Sequence, residues 1–202
     1  MSQQTEREDV KKKILTTGIR VGTEVKTKFM IPYITQANPE GLYLFDLDIT
    51  LSRIETAGRF IKKFDMEKVI VYSGRTYANT PIEKFCELTG ARKMLGRFMP
   101  GTLTHPLRPY YLEPQLIIVS DPQVDAQSVN EATNAEIPVI GIDNTHNVTS
   151  ELDLDIPANN RGRKSLATVY WLLASEILQD SKAMKYEIDD FETKTAEVEE
   201  EL

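Results

Sequence analysis

The chain has 202 residues, of which 41% are hydrophobic and 27% are charged, and its formal net charge at pH 7 is −7. These proportions are typical of a globular protein, and the length is sufficient for one domain with a substantial core. The apolar runs are far shorter than the roughly 20 residues that a membrane helix needs, and the polar start, MSQQTEREDVKKK, lacks the apolar segment of a secretory signal. The single cysteine, Cys86, cannot form an internal disulfide, so we expect a cytoplasmic protein that has no contact with a membrane.

The charged residues are unevenly distributed along the chain. Residues 1–30 hold seven cations and four anions (+3), and residues 51–112 hold eleven cations and five anions (+6). Residues 113–160 hold nine carboxylates and no Lys or Arg (−9), and the last 22 residues hold three cations and eight anions (−5). A local basic region binds phosphate whatever the total charge, so the acidic sum does not exclude a nucleic-acid partner. We expect the acidic half, 113–160, to face solvent or a basic protein neighbour.

Hydrophobic periodicity predicts alternating helices and strands in the first half of the chain. A short helix is predicted at 8–16, with Ile14 and Leu15 among its apolar residues, and a strand at 41–45. Thr50 is predicted to cap the helix that follows. A near-continuous apolar strand at 68–73 precedes a second helix, which has Pro81 in its first turn and ends at Gly90.

The second half continues this alternation. Buried strands are predicted at 115–120 and 137–142, with a helix at 124–134 between them. A short strand, LDIP, precedes a long helix over residues 163–178.

Strands that alternate with helices indicate a mostly parallel sheet. The predicted fold class is α/β: a flavodoxin-like doubly wound, mostly parallel sheet of about five strands, with helices on both faces. We expect a single domain over residues 1–180, which includes the basic segment 1–30. The residues that follow, 181–202, are predicted to be a solvated acidic tail or a frayed helix.

The segment 96–111, GRFMPGTLTHPLRPYY, has three Pro, two Arg and three aromatic residues but no carboxylate. The prolines exclude a helix or a central strand, so we predict an ordered loop or an extended arm. Its Arg97 can bind phosphates, and Phe98, Tyr110 or Tyr111 can stack on unpaired bases. The alternative is that Phe98 and Met99 pack on the protein's own sheet. We name this segment the 96–111 loop.

An enzyme is the competing interpretation, because doubly wound sheets bind ligands at the carboxyl ends of their strands. Residues 46–50, DLDIT, resemble the first motif of haloacid-dehalogenase-like phosphatases, in which one Asp attacks phosphorus and the second serves as acid and base. The motif is short, and Ile49 stands where that family has Gly. An Asp after a strand also commonly caps a helix.

The Mg-dependent phosphatase hypothesis requires further residues. Ser73 would bind phosphate, Asp121 and Asp125 would hold Mg²⁺, and Lys84 or Lys93 would neutralise the phosphate. No phosphate-binding loop of the G-x-x-x-x-G-K-[ST] type occurs, and no metal-ligand spacing surrounds either histidine.

Longer motifs carry a different resemblance. In chain order these are VGTEVKTKFM, LYLFDLDITLSRI, GRFMPGTLT, EPQLIIVSDPQVDAQSVNEA, IPVIGIDNT and DIPANNRGRKSLATVYWLLASEIL. Together they resemble the family of the second protein of the small ribosomal subunit, over about residues 14–180. The chain has no room for the coiled-coil insertion of the bacterial branch and lacks the long extension of the eukaryotic branch, so it resembles the archaeal type. It departs from the family pattern at His105, where Asn is usual, and at Gly74, where Arg is common.

The resemblance implies a structural constituent of the small subunit, with no catalytic residues, cofactor, metal or small-molecule substrate. Such a protein binds small-subunit ribosomal RNA and neighbouring ribosomal proteins, and supports subunit assembly and translation. Combined with the basic regions, it predicts RNA contacts by three groups of residues. The N-terminal group is Lys11, Lys12, Lys13, Lys26 and Lys28. The group that follows the strands is Arg75, Tyr77, Gly96, Arg97, Phe98, Gly101, Thr102 and Arg108. The group at the start of the last helix is Arg161, Arg163 and Lys164, with Asn159 or Asn160 as its cap.

Overall fold

The structure is a computed structural model, and it describes residues 13–178 and 186–193 of the chain. The predicted N-terminal helix at 8–16 lies partly outside this range, and its described part, residues 13–16, is helical. Ile14 is buried in the core, whereas Leu15 is 45% exposed. Leu15 is therefore not part of the inner face that the sequence predicts.

Two short strands, β1 (Ile34–Ala37) and β2 (Tyr43–Phe45), pair antiparallel in a small sheet of their own. The central sheet consists of β3 (Val69–Ser73), β4 (Arg92–Leu95), β5 (Leu116–Val119), β6 (Val139–Asp143) and β7 (Leu154–Pro157). All its pairs are parallel, and the strand order is β4-β3-β5-β6-β7. This is the order of the flavodoxin-like fold, so the predicted fold class is confirmed.

Four helices cover the two faces of the central sheet. They are α1 (Leu47–Ile61), α2 (Asn79–Thr89), α3 (Ala126–Asn134) and α4 (Arg163–Leu178). On the first face, α4 packs against both α1 and α2, and their apolar side chains meet alternate residues of β3, β5 and β6 in one core cluster. Because helices or loops cover both faces, the central strands β3 and β5 contain runs of consecutive Val and Ile.

The second face is covered by α3 together with the 96–111 loop. Phe98 and Leu103 of the loop join Val129 of α3 in a separate core cluster over Ile70 and Ile117. The loop lies there because β3 stands between β4 and β5, so the chain must cross β3 to join them. Such crossovers usually contain a helix, and here a loop takes its place.

Three details differ from the sequence prediction. The strand at 41–45 exists but belongs to the small antiparallel sheet, and the fifth parallel strand is β4, which the sequence analysis missed. Asp46, rather than Thr50, caps α1: its carboxylate accepts from Asp48 N at 2.9 Å and Ile49 N at 3.4 Å. Thr50 lies inside the helix, where its hydroxyl bonds the Asp46 and Pro157 carbonyls.

Residues 186–193 fold back onto the domain instead of extending into solvent. Phe191 is fully buried beside α2 and α4, and Trp171 Nε1 donates to the Tyr186 carbonyl at 3.2 Å. Thr193 Oγ1 donates to the Tyr77 carbonyl at 2.9 Å. This part of the predicted acidic tail is therefore integrated with the core.

Candidate nucleic-acid interface

The carboxyl ends of β3 and β5 flank the point where the strand order reverses, which is where this fold class binds ligands. Here that crevice holds side chains of the protein itself. Arg75 forms an ion pair with Asp121, in which Nε lies 2.9 Å from Oδ2 and Nη2 also contacts Oδ2. Asp121 is fully buried, and its Oδ1 also accepts from Asn147 Nδ2 and from the Gln123 amide, each at 3.1 Å. Arg75 thus has a structural contact in this crevice, and its predicted contact with RNA stays a prediction.

Two further carboxyl groups are buried beside this ion pair. Asp125 Oδ1 accepts from the Gly74 amide at 2.9 Å, and burial raises the pKa of Asp125 to about 7, with Asp121 adding to the shift. Burial also raises the pKa of Asp143 well above its ordinary value, and the charges of Asp155 and Asp121 reinforce that shift. Carboxyl groups in such surroundings favour their neutral form.

The residues required by the phosphatase hypothesis do not assemble into a catalytic centre. The Asp46 carboxylate caps α1. Asp46 follows β2 of the small antiparallel sheet and not a strand of the central parallel sheet. Lys93 is paired with Glu83 at 2.6 Å. Within residues 13–178 and 186–193, no group of three or more His, Cys, Asp or Glu side chains is arranged to hold a metal ion. The helices of this part of the chain include none long and apolar enough to cross a membrane.

The 96–111 loop is a compact series of turns rather than an extended arm. The amides of Thr102, His105, Arg108 and Tyr111 each bond a carbonyl three or four residues earlier, and Leu112 N closes the loop on the Thr102 carbonyl at 2.8 Å. Gly96 and Gly101 have φ angles of 79° and 89°, which only glycine adopts readily, so the turns themselves explain both residues. The prolines stiffen these turns.

The loop presents its two arginines outward. Arg97, Arg108 and Leu107 are exposed, and in the described part of the chain no carboxylate pairs with either arginine. Leu107 is 88% exposed at the tip. The loop therefore carries two cations on a fixed backbone, as the sequence predicts.

The aromatic side chains of the loop are used internally. Phe98 is buried edge-on against Tyr72, with ring centroids 5.1 Å apart, which agrees with the alternative that it packs on the protein's own sheet. Tyr110 donates to the Pro100 carbonyl at 3.2 Å, and Tyr111 donates to Glu113 at 2.7 Å. Thr102 is also buried, and its hydroxyl donates to the Met99 carbonyl at 2.6 Å, so its side chain has a contact inside the protein.

The remaining predicted residues lie in three places. Tyr77 follows β3 and is partly exposed. Lys13, Lys26 and Lys28 are exposed near the N-terminus, with the Lys26 ammonium 4.6 Å from the centre of the Tyr43 ring, whereas Lys11 and Lys12 lie outside the described residues.

The third place is the start of α4, where Arg161 and Lys164 are exposed and Arg163 is half-buried. Asn159 caps this turn, since its Oδ1 accepts from Arg161 N at 3.0 Å and Gly162 N at 3.3 Å. Arg161 Nη2 lies 3.0 Å from His146 Nε2. Burial lowers the pKa of His146, and the charge of Arg161 lowers it further, so the ring is neutral at pH 7 and accepts this bond.

One cation that the sequence analysis left out is Arg92. It is exposed on β4, the edge strand nearest the start of the loop, and the described residues provide no acidic partner for it. The charge excess of 51–112 was the signal available, but the strand that displays Arg92 was not predicted.

The acidic half of the chain is less acidic on its surface than its sequence indicates. Four of the nine carboxylates in 113–160 are buried: Asp121, Asp125, Glu131 and Asp143. The strand order places 113–160, with β5, β6 and β7, on one side of β3, and the cationic edge strand β4 on the other. The acidic and basic regions of the sequence thus lie on opposite sides of β3 in the central sheet.

Fold and surface together define a flavodoxin-like α/β domain whose ligand crevice holds its own side chains and whose crossover loop exposes two arginines, Arg97 and Arg108. Comparison with known proteins gives the family. The family model described as Ribosomal protein S2 matches residues 106–180. Proteins named small ribosomal subunit protein uS2 match almost the whole chain: that of Nitrosopumilus maritimus is 65% identical over 98% of this chain and 99% of the relative.

Two further archaeal relatives with the same name extend this result. The protein of Cenarchaeum symbiosum is 54% identical over 95% of each chain. That of Thermofilum pendens is 49% identical over 82% of this chain and 77% of the relative. The chain belongs to the uS2 family, in its archaeal form, and the resemblance drawn from the motifs is confirmed.

Proposed function

We propose that this chain is a structural constituent of the small ribosomal subunit, where it binds small-subunit ribosomal RNA and neighbouring ribosomal proteins and supports subunit assembly and translation. Its relatives are named as proteins of that subunit. In this role the chain works in the cytoplasm, within the ribosome, and needs neither catalysis nor a small-molecule substrate.

The observation that carries the RNA-binding part of this proposal is the exposure of Arg97 and Arg108 on a loop of fixed conformation. Each guanidinium has a planar set of donors that matches the oxygens of a phosphate. Among the described residues, no carboxylate pairs with either arginine. The charges of Arg97 and Arg108 are therefore available to displace the counterions of RNA.

The structure narrows the set of residues that we propose for contact with RNA. We leave Arg75, Phe98 and Thr102 out of the proposed set because each has contacts inside the protein. The proposed set is Lys11, Lys12, Lys13, Lys26, Lys28, Tyr77, Arg97, Arg108, Arg161, Arg163 and Lys164, to which we add Arg92. Gly96 and Gly101 contribute by shaping the loop.

The test is cosedimentation of the tagged chain with small ribosomal subunits at low and high salt. The wild type should sediment with subunits at low salt and dissociate as salt rises, because each phosphate contact contributes about 0.9 to the slope of log K against log salt. Replacing Arg97 and Arg108 by Ala should weaken binding and lower that slope by up to about 2, while the unfolding midpoint stays near that of the wild type.

A control pair removes the same charge from the opposite face of the sheet. Arg59 and Lys63 are exposed on and just after α1, which covers the face away from the loop. Their replacement by Ala should change binding much less. Equal losses for the two pairs would refute the assignment to the loop, and a wild-type chain that stays in the soluble fraction at low salt would refute the ribosomal role itself.

A further inference from the structure

The 96–111 loop needs a fixing point, because it crosses the sheet without a helix of its own. At the start of the loop, Gly96 is hydrogen-bonded to β3: its amide donates to the Ser73 carbonyl at 3.1 Å, and its carbonyl accepts from the Tyr72 hydroxyl at 3.0 Å. Beyond Gly96, the turns hold residues near in sequence to one another, and Phe98 and Leu103 attach the loop to the sheet by apolar contacts that have no preferred direction. Hydrogen bonds to a rigid element are what set the orientation of such a backbone.

In the middle of the loop, a carboxylate supplies such bonds to two backbone amides. Glu131, on α3, is 5% exposed, and its two oxygens accept from two backbone amides of the loop. The Gly101 amide donates to Oε1 at 2.7 Å and the Leu103 amide to Oε2 at 3.1 Å. Gln127, one turn earlier on α3, donates from Nε2 to Oε1 at 2.8 Å and orients the carboxylate from the other side.

We propose that Glu131 is the positioning residue of the 96–111 loop: its carboxylate fixes the backbone that carries Arg97 and Arg108, and thereby sets the affinity of the protein for ribosomal RNA. Gly101 and Leu103 lie between the two arginines, so their bonds to Glu131 hold the part of the loop that determines the distance between both cations. This inference rests on the function proposed above.

The sign of the effect separates this role from simple electrostatics. A buried carboxylate near a cationic loop repels RNA phosphate, so removing its charge should on that ground alone tighten binding. Positioning predicts the opposite. In Glu131→Gln, the side-chain NH₂ group faces one of the two loop amides. Because both groups are hydrogen-bond donors, that bond is lost and the loop is released.

The experiment compares the full-length wild type with Glu131→Gln in binding to a transcript of small-subunit ribosomal RNA over a range of KCl concentrations. We expect weaker binding and a shallower salt slope, lower by up to about 2, since the two arginine contacts are lost. Amide hydrogen exchange at Gly101 and Leu103 should accelerate. The matched control is Glu151→Gln, which removes the same charge from an exposed site and should bind as the wild type or slightly more tightly.

A triple variant distinguishes positioning from general destabilisation. If Glu131 acts through the arginines, replacing Arg97 and Arg108 by Ala in the Glu131→Gln protein should cause little further loss, whereas independent effects would add. Additive losses, or wild-type binding by a folded Glu131→Gln protein, would overturn the inference. If the wild type itself fails to bind the transcript, the proposed function fails instead.

The wild type alone also gives an answer should Glu131→Gln not fold. The Gly101 and Leu103 amides should exchange their hydrogens more slowly than the Leu107 amide, which donates no hydrogen bond to any of the described residues. Equal exchange rates at the three positions would contradict the proposed clamp.

Discussion

Replacing Arg75 by Ala tests whether this residue belongs to the scaffold rather than to the RNA-binding surface. The substitution removes both guanidinium contacts from Oδ2 of Asp121, a carboxylate with no exposed surface. Breaking a buried ion pair by deleting one partner costs about 3–5 kcal/mol, because the other charge stays buried. Asp121 keeps its bonds to Gln123 and Asn147, so we expect the lower end, about 3 kcal/mol.

The assay is urea unfolding followed by the fluorescence of Trp171, the one tryptophan of the chain. A double variant, Arg75→Ala with Asp121→Asn, serves as the control. The Asn side chain carries no charge, and its Oδ1 can still accept from Gln123 and Asn147, so the double variant should recover more than about 1 kcal/mol. A loss below about 1 kcal/mol in the single variant, or no recovery in the double, would refute this account of the crevice.

Two further predictions concern the second face and the buried acids. Phe98→Ala should cost about 3 kcal/mol in urea unfolding because it empties a core position, whereas Met99→Ala, at a half-exposed site, should change the free energy of unfolding by less than about 0.5 kcal/mol. The raised pKa of Asp125, about 7, means that the folded state holds its proton more tightly than the unfolded state. Stability from this group is therefore present below pH 4 and lost as pH rises towards 7, and Asp125→Asn should flatten that decline.

Most of the fold could be predicted because its strands are buried. Consecutive Val and Ile mark β3, β5 and β6, and the spacing of apolar residues predicts α4 and its start at Arg163. The edge strand β4 escaped prediction because Arg92 and Lys93 face solvent, so it has no apolar run. A strand of that kind is defined by its partner, β3, and not by its own residues.

The sequence predicted the exposure of a candidate RNA-binding residue only where the composition of its segment indicated that exposure. Arg97 and Arg108 come from a segment without carboxylates, and their exposure agrees with that pattern. Arg75 has the same residue type, yet its partner Asp121 lies 46 residues away, and sequence alone does not reveal a pairing over that distance. Phe98 was open to two interpretations, because an aromatic residue beside an arginine suits both base stacking and a core.

The net charge of −7 is a poor guide to the surface that we propose for RNA binding. Of the nine carboxylates that make residues 113–160 acidic, four are buried, and three of those bind other parts of the protein. Asp121 pairs with Arg75, Asp125 accepts from the Gly74 amide, and Glu131 accepts from two amides of the loop. In this chain the edge where the fold binds ligands holds an internal ion pair, because Arg75 and Asp121 contact each other there. Two outward arginines, Arg97 and Arg108, lie instead on the crossover that lacks a helix, where turns order the backbone and the buried Glu131 contacts it. RNA affinity should therefore depend as much on these internal carboxylates as on the exposed arginines.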